Sequence, residues 1–379
     1  MEERRLKLRI AQLREAKGIT QAELARAMNI SYQSVSKWET GNAYPDITML
    51  PKLSRYFGVS TDYILGLASG KETEYFIAVD QGGTKTRVLL CEFSGKIAGD
   101  METEGSCWYY DGIDKAISVL YTAVSALLSS AEAGAEQVAF IVCGASGINW
   151  EDERGMYTAA LERRTGIKAY VYNDCAAAVY CDGADYLNRI VLCAGTEFDA
   201  AVITPELTQP FVYCNYTMPC DMGGSEIGRR AVNAVIRSAV KLSPETTLQK
   251  PVLSYFGIDS VKNLHTAFRR GKLERHPKNL VPMVFEESRR GDGAAQEILL
   301  SMADNMSEYA VAAVREYRLQ KAAVILAGGV FKNDFPPFYN RIRERILSVC
   351  PEAVVIRTDK EIVEGAYNLG RLKAAQSKR

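Results

Sequence analysis

Through the first 65 residues apolar side chains recur three and four positions apart: Leu6, Ile10 and Leu13, then Leu24, Ala25 and Met28, then Val35 and Trp38, then Ile47, Leu50, Leu53 and Phe57. Each set lines one face of a helix. Thr20 with Glu23 three residues later forms a capping box for the second helix, and Ser31 caps the third, which Gly41 closes. Pro51 places the start of the fourth near Asp46 to Thr48, with the proline in its first turn, and a fifth short helix is predicted over Ser60 to Leu65. The pattern predicts an all-α, five-helix domain over residues 1–68. Gly66 to Glu74 is polar and reads as a short flexible linker, with the boundary at 69–74. From Tyr75 the helical stripes give way to apolar runs of strand length, among them Tyr75 to Val79, Arg87 to Phe93 and Val324 to Ala327. The 305 residues beyond Glu74 exceed what one core supports, so two lobes are expected, at 75–185 and 186–379.

The second and third helices are joined by a tight turn, the first ending near Asn29, and the next opens with Tyr32, Gln33, Ser34 and Lys37 facing outward. That is the form of a DNA-reading helix-turn-helix. An amide such as Gln33 both donates and accepts at one adenine edge. An ordinary helical bundle explains the apolar stripes but not the paired caps with a polar set behind them. Over residues 1–68, ten Lys or Arg against seven Asp or Glu leave +3, while the whole chain balances 46 against 46. So small an excess neutralises few phosphates, which predicts a homodimer on a palindromic double-stranded DNA operator.

Nine cysteines occur without a Cys-x-x-Cys and read as reduced, mostly buried thiols. With His265 and His276 as the only histidines, a histidine zinc site is not expected, nor a structural metal. No signal peptide opens the chain, and its longest uncharged run, Ala116 to Ala131, is too short and too rich in Ser, Thr and Tyr to span a bilayer. The expectation is a soluble, cytoplasmic protein with no membrane partner.

Residues 5 to 66 resemble the lambda-repressor-like, or Xre, family of bacterial regulators. The resemblance implies that the helix 31–40 enters the major groove, that Tyr32, Gln33, Ser34 and Lys37 contact DNA there, and that Gln21 touches backbone phosphate.

In the second part, Asp80-Gln-Gly-Gly-Thr-Lys-Thr86 joins two strands. Gly82 and Gly83 let backbone N–H groups approach phosphate oxygens, Thr84 and Thr86 offer hydroxyls, Lys85 offers a cation, and Asp80 is placed to hold Mg²⁺ through water. A plain hairpin accounts for the glycines but not for the acid, the threonines and the lysine together. Arg189 to Thr204 repeats the pattern around Gly195 and Thr196, so the lobes read as duplicated halves whose hairpins clasp a triphosphate. Gly328 and Gly329 end a third apolar strand, where an adenosine lies against glycine backbone.

Together these elements resemble the actin, Hsp70 and sugar-kinase superfamily, specifically its BadF/BadG ATPase and N-acetylglucosamine kinase branch, from residue 75 to about 375. The resemblance implies an α/β, two-lobed, actin-like (ribonuclease H-like) fold with a five-stranded sheet in each lobe. It also implies ATP and Mg²⁺ in the cleft, an amino sugar before the γ-phosphate, and Asp174, following Asn173, as catalytic base. Asp174 also suits a helix cap before the Ala-rich helix, a role that does not exclude the catalytic one. Ser106, Asn173, Gly223, Gly224 and Ser225 are the corresponding substrate contacts. The chain departs from the branch at Glu197, which stands where the second phosphate turn carries glycine and adds roughly 1 kcal/mol of like-charge repulsion at 4 Å in water. Where the branch's sugar loop has a Ser-Asn pair after glycine, Gly105-Ser106 is here followed by Cys107 and Trp108, and the loop from Asp221 is one residue shorter before the glycine pair. These features predict a DNA-binding transcription regulator whose kinase-like part senses a small ligand, an amino sugar or its phosphate, with or without ATP, and turns over weakly. The alternative is an active ATP-dependent N-acetylhexosamine kinase with an appended DNA-binding domain.

Overall fold

The computed structural model describes residues 9–57, 59, 61–65, 75–213, 222–270 and 277–377; Leu6, Ser60, the expected linker, Cys214, Cys220, Asp221 and His276 lie outside them. The chain forms two compact units, residues 1–75 with 128–139, and residues 76–127 with 140–379.

Among the described residues up to 65 there are five helices: α1 (Ile10–Ala16), α2 (Gln21–Met28), α3 (Tyr32–Glu39), α4 (Leu50–Phe57) and α5 (Thr61–Ile64). The capping box on α2 is formed in both directions, Glu23 N–H donating to Thr20 Oγ1 at 3.2 Å and Thr20 N–H to Glu23 Oε2 at 2.8 Å. Asn29 then turns left-handed at φ 55°, and Ser31 Oγ accepts Ser34 N–H at 3.2 Å to start α3. Ile10, Leu24, Ala25, Met28, Val35, Trp38, Leu53 and Ile64 close one core. α4 begins at Leu50 rather than at 46–48, because Asp46 Oδ1 accepts Thr48 N–H and Oγ1–H at 2.8 and 2.6 Å and holds that stretch in a side-chain turn. Ile47 consequently leaves the apolar stripe and is 79% exposed.

Glu39 ties three of these helices together. Its carboxylate, only 5% exposed, accepts Arg14 Nε and Nη2 of α1 at 2.7 and 3.0 Å and Gln21 Nε2 of α2 at 2.7 Å.

From Tyr75 onward the strands are β1 (Tyr75–Gln81), β2 (Lys85–Glu92), β3 (Ile97–Glu104), β4 (Val138–Ala145), β5 (Ala169–Asn173), β6 (Arg189–Ala194), β7 (Phe198–Ile203), β8 (Phe211–Val212), β9 (Ala323–Ala327) and β10 (Val354–Arg357). The helices between and after them are α6 (Trp108–Asp111), α7 (Ile113–Ser130), α8 (Glu151–Thr165), α9 (Asp174–Ala178), α10 (Gly224–Ala239), α11 (Gln249–Phe256), α12 (Val261–Arg269), α13 (Val281–Arg289), α14 (Gly293–Glu316), α15 (Pro336–Leu347) and α16 (Ile362–Ser377). Two five-stranded sheets result, in the orders β3-β2-β1-β4-β5 and β10-β9-β6-β7-β8. Read from β8, the second order repeats the first, with β6 standing where β1 stands. The repeated hairpin patterns in the sequence therefore correspond to a repeated topology. The match extends to pairing direction: β2 with β3 and β7 with β8 are antiparallel, β4 with β5 and β9 with β10 parallel.

The first sheet uses strands up to Asn173 and the second those from Arg189, and the final helix packs on the first. α16 carries Val363, Ala366, Leu369 and Ala374 into the core of the first sheet beside Phe76, Ala78, Phe140 and Val142. Gly365 permits this, since a Cβ there would lie 2.2 Å from the Ala177 carbonyl oxygen. Among the described residues α7 alone has the length and apolarity of a membrane span. The helix extends back beyond the uncharged run to Ile113, and its Ala116, Leu120, Ala123 and Leu127 are buried in this fold. Of the described cysteines, Cys91, Cys107, Cys143, Cys175, Cys181 and Cys350 are buried free thiols and Cys193 is half-buried.

Glu39→Ala leaves Arg14 without its buried counter-charge, a loss of about 3 kcal/mol or more. Hydrogen exchange in the full chain is expected to speed up roughly 100-fold at the protected amides of α1 to α3 while the sheets of the second unit keep their protection. Unchanged exchange in those helices would remove Glu39 as their tie.

Candidate functional site

On the first unit, α3 presents Tyr32, Gln33 and Lys37 to solvent, Tyr32 being 52% exposed, while Val35 and Trp38 on its other face enter the core. Ser34 is half-buried and its hydroxyl lies 2.8 Å from Ser31 Oγ. Gln21 is oriented by its hydrogen bond to Glu39, which leaves its carbonyl oxygen and one amide proton for another partner.

The second unit contains a cleft of about 950 Å³ bordered by both glycine turns. In the first turn Gly82 N–H closes onto Lys85 carbonyl oxygen at 3.0 Å; in the second Gly195 N–H closes onto Glu197 carbonyl oxygen at 2.9 Å. Chain packing fixes both. A Cβ at Gly105 would fall 2.4 to 2.6 Å from the backbone of residues 83 to 85, so glycine there lets the segment after β3 press on the first turn. Asp80, Gly82, Gly83, Thr84, Lys85, Asn173, Asp174, Gly195, Thr196, Glu197, Gly224, Gly328 and Gly329 all border the cavity. These residues of the sequence-derived set come together from distant parts of the chain.

Four expectations are corrected. Thr86 falls on the buried side of β2, does not border the cleft, and its Oγ1 lacks a hydrogen-bond partner. Strand alternation sends it away from Lys85's side. Lys85 does border the cleft, but its ammonium is paired with Glu102 at 2.9 Å and Glu361 at 3.3 Å. Ser106 is buried behind the wall, accepting Gln81 Nε2–H at 2.9 Å, while Gln81 Oε1 accepts Tyr157 O–H. The α10 N-terminus is already occupied: Gly224 N–H and Ser225 N–H donate to the Gly195 and Thr196 carbonyl oxygens, each at 2.9 Å. Gly223 (φ +91°) packs where a Cβ would sit 2.5 Å from Glu197 backbone. Gly223 and Ser225 thus brace the second turn, and only Gly224 of the three borders the cavity.

Asn173 and Asp174 stand at the β5–α9 junction. Asn173 Oδ1 accepts Cys175 N–H at 2.7 Å and its amide donates to Asn149 Oδ1 at 2.9 Å. The cap of α9 is Asn173 rather than Asp174, which is the first helical residue and whose Oδ1 also accepts Cys175 N–H, at 2.9 Å. Asp199, which sequence reasoning missed, enters from β7. Burial, then repulsion from Asp174, pushes Asp80 up to about 7 and Asp199 up to about 8. Asp174 is raised as well, again chiefly by burial. Asp199 Oδ1 is buried without a hydrogen-bond partner. Hard carboxylate oxygens that repel one another, one of them unpartnered, fit a divalent cation. Among the described residues no three acidic, histidine or cysteine side chains converge closely enough to hold one ion directly. The alternation of β7 could have exposed Asp199 as an acid in an apolar strand. Also missed were Tyr109 and Tyr110 on α6, 68% and 78% exposed and bordering the cleft, and Lys278, whose Nζ donates to Thr84 Oγ1 at 3.2 Å and Thr196 Oγ1 at 3.0 Å.

A carboxyl raised in the folded state binds protons that the unfolded chain has released, so stability falls as pH rises from the ordinary carboxylate range through the folded value. The second unit is therefore expected to melt lower at pH 8 than at pH 5, with millimolar Mg²⁺ raising the melting point more at pH 8. Asp199→Asn is expected to flatten both trends. A pH-independent melting point, insensitive to Mg²⁺, would contradict the buried cluster.

Residues 77–367 match the BadF/BadG/BcrA/BcrD ATPase family, and residues 10–64 match a helix-turn-helix family. The SPbeta prophage-derived HTH-type transcriptional regulator YonR of Bacillus subtilis is 32% identical over 96 residues, 25% of this chain and 84% of that protein. The chain spans 30% of the length of another curated relative, the HTH-type transcriptional activator BcrR of Enterococcus faecalis. The N-acetylmuramic acid/N-acetylglucosamine kinase of Clostridium acetobutylicum is 22% identical over 304 residues, 79% of this chain and 98% of that protein. Among solved structures, a Chromobacterium violaceum protein assigned as an N-acetylglucosamine kinase shares the fold with a TM-score of 0.61 at 20% identity, covering 79% of this chain and 99% of that one. The chain belongs to the BadF/BadG/BcrA/BcrD ATPase family and carries, before that domain, the helix-turn-helix of HTH-type transcriptional regulators.

Proposed function

We propose that this protein is a cytoplasmic, homodimeric transcription regulator that reads a palindromic operator with α3, and that a small ligand in the cleft, an amino sugar or a phosphate-bearing metabolite, sets its operator affinity. The observation that carries the reading is α3 itself. Its capped start and buried Val35 and Trp38 fix the orientation of Tyr32, Gln33 and Lys37, all exposed. Side chains fixed in this way suit base edges in the major groove, with Gln21 placed for a phosphate.

The cleft supports the sensing half. Gly82, Gly83 and Thr84 from one turn, and Gly195 and Thr196 from the other, would hold phosphate oxygens, with Gly328 and Gly329 beside an adenosine. Asp80 and Asp199 would hold Mg²⁺ through water, and the ion supplies neutralising charge. Asn173, with Asp174 beside it, would meet a sugar hydroxyl. The raised Asp174 carboxyl favours the second reading, ATP-dependent phosphorylation of a hexosamine, because a base of raised pKa takes a hydroxyl proton more readily. Glu197 at the rim of the same cleft weighs toward weak nucleotide binding and hence toward sensing.

Gln33→Ala is expected to weaken binding to the specific operator by roughly 1 to 3 kcal/mol and to leave binding to random duplex nearly unchanged. Fluorescence anisotropy with both duplexes at fixed salt measures this. Equal loss on both would take Gln33 out of base readout.

A further inference from the structure

We infer that Lys278 is a phosphate ligand of the cleft and that the effector is therefore a phosphate-bearing molecule; this rests on reading the cleft as the ligand site. Lys278 opens a 3-10 turn, Lys278–Leu280, that leads into α13. Its backbone seat is fixed by packing on α10. A Cβ at Gly228 would lie 2.1 Å from the Pro277 carbonyl oxygen, and a Cβ at Gly224 would lie 3.5 Å from Lys278 Cβ. Leu280, which ends the turn, and Val281 after it are buried in the core of the second sheet. The half-buried side chain runs from this fixed seat to the two glycine turns, where Nζ lies 3.2 Å from Thr84 Oγ1 and 3.0 Å from Thr196 Oγ1. One ammonium thus marks the point on which both turns converge.

The chemistry of those contacts points to an anion. An ammonium donates three hydrogen bonds and accepts none. Here two go to neutral hydroxyls, and among the described residues no carboxylate pairs with it. Lys85, the lysine within the sequence motif, is by contrast neutralised by Glu102 and Glu361. Each threonine hydroxyl accepts from Nζ and so keeps its own O–H to donate. A phosphate oxygen placed between the turns would receive one charged N–H and two hydroxyl donors without rearrangement of the backbone. A neutral sugar gains little from this arrangement. Lys278 also supplies a positive charge on a cavity wall that carries Asp80, Asp174 and Glu197, which offsets their repulsion of an incoming phosphate.

A nucleotide phosphate and a sugar phosphate share this chemistry, and calorimetry on the full chain separates them. The probes are Mg-ATP, N-acetylglucosamine 6-phosphate and N-acetylglucosamine, each titrated into wild type, Lys278→Met and Lys278→Arg, with circular dichroism melts confirming that the variants fold. The expected result is that Lys278→Met weakens whichever phosphate-bearing probe binds by roughly 10- to 100-fold, the scale of a lost hydrogen bond to a charged group. Lys278→Arg recovers most of that loss, and N-acetylglucosamine affinity stays within about twofold. Equal binding of the phosphate-bearing probe by wild type and Lys278→Met overturns the inference and leaves the cleft reading standing. Binding of N-acetylglucosamine alone by wild type also overturns it. Binding of none of the three overturns the cleft reading and the inference with it.

Discussion

Three carboxylates that repel one another are held at one cleft by elements far apart in sequence, and the rest of the second unit is arranged around that constraint. Asp80 arrives on β1, Asp174 at the start of α9 and Asp199 on β7. Burial raises all three, and the presence of Asp174 raises the other two further. A fold keeps such a cluster when a cation or a reacting proton relieves it, because the repulsion otherwise counts against stability at neutral pH. The duplicated sheets deliver it: each brings a strand, a glycine turn and a returning strand to the same cavity, and glycines at 105, 223 and 328 allow neighbouring backbone to close on those turns or on the strand leading into one of them. Four lysines, Lys85, Lys278, Lys332 and Lys360, also border the cleft, and Lys278, on the segment before α13, touches both turns.

The first unit answers to a different constraint. A reading helix of eight residues has little packing of its own, so its orientation depends on caps and on a buried ion pair. Ser31 fixes its start, while Glu39 at its end is gripped by Arg14 and Gln21. The same Gln21 stands where a phosphate contact is expected, so the interaction that builds the unit also aims one of its candidate DNA contacts.

Much of this was legible in the chain. The capping box at Thr20 and Glu23, the Ser31 cap and the apolar spacing gave five helices because local hydrogen bonds and periodicity decide them. The paired glycine turns marked the cleft because their φ and close-approach needs are written as glycines. What failed was decided by tertiary contact. Ile47 is exposed because a side-chain turn at Asp46 delays α4. Thr86 and Ser106 sit beside cleft residues in sequence but are turned into the interior by strand alternation and by the Gln81 network. The amides of Gly224 and Ser225 brace the second turn instead of facing a ligand. Lys278 was invisible because no local pattern surrounds it; only the fold brings it 194 positions back along the chain to Thr84.

The account joins the two units by one thermodynamic claim, that cleft occupancy and operator binding are coupled. A ligand favouring one operator-binding state tenfold shifts operator affinity by about 1.4 kcal/mol, and reciprocity requires operator to shift ligand affinity by the same factor. The direct measurement is calorimetric titration of the phosphate-bearing probe that binds into the full chain, alone and saturated with an operator duplex selected by the protein from a random pool. The account predicts dissociation constants that differ by roughly tenfold, matched by an equal change in operator affinity when the probe is present. Identical ligand affinities with and without operator would contradict it.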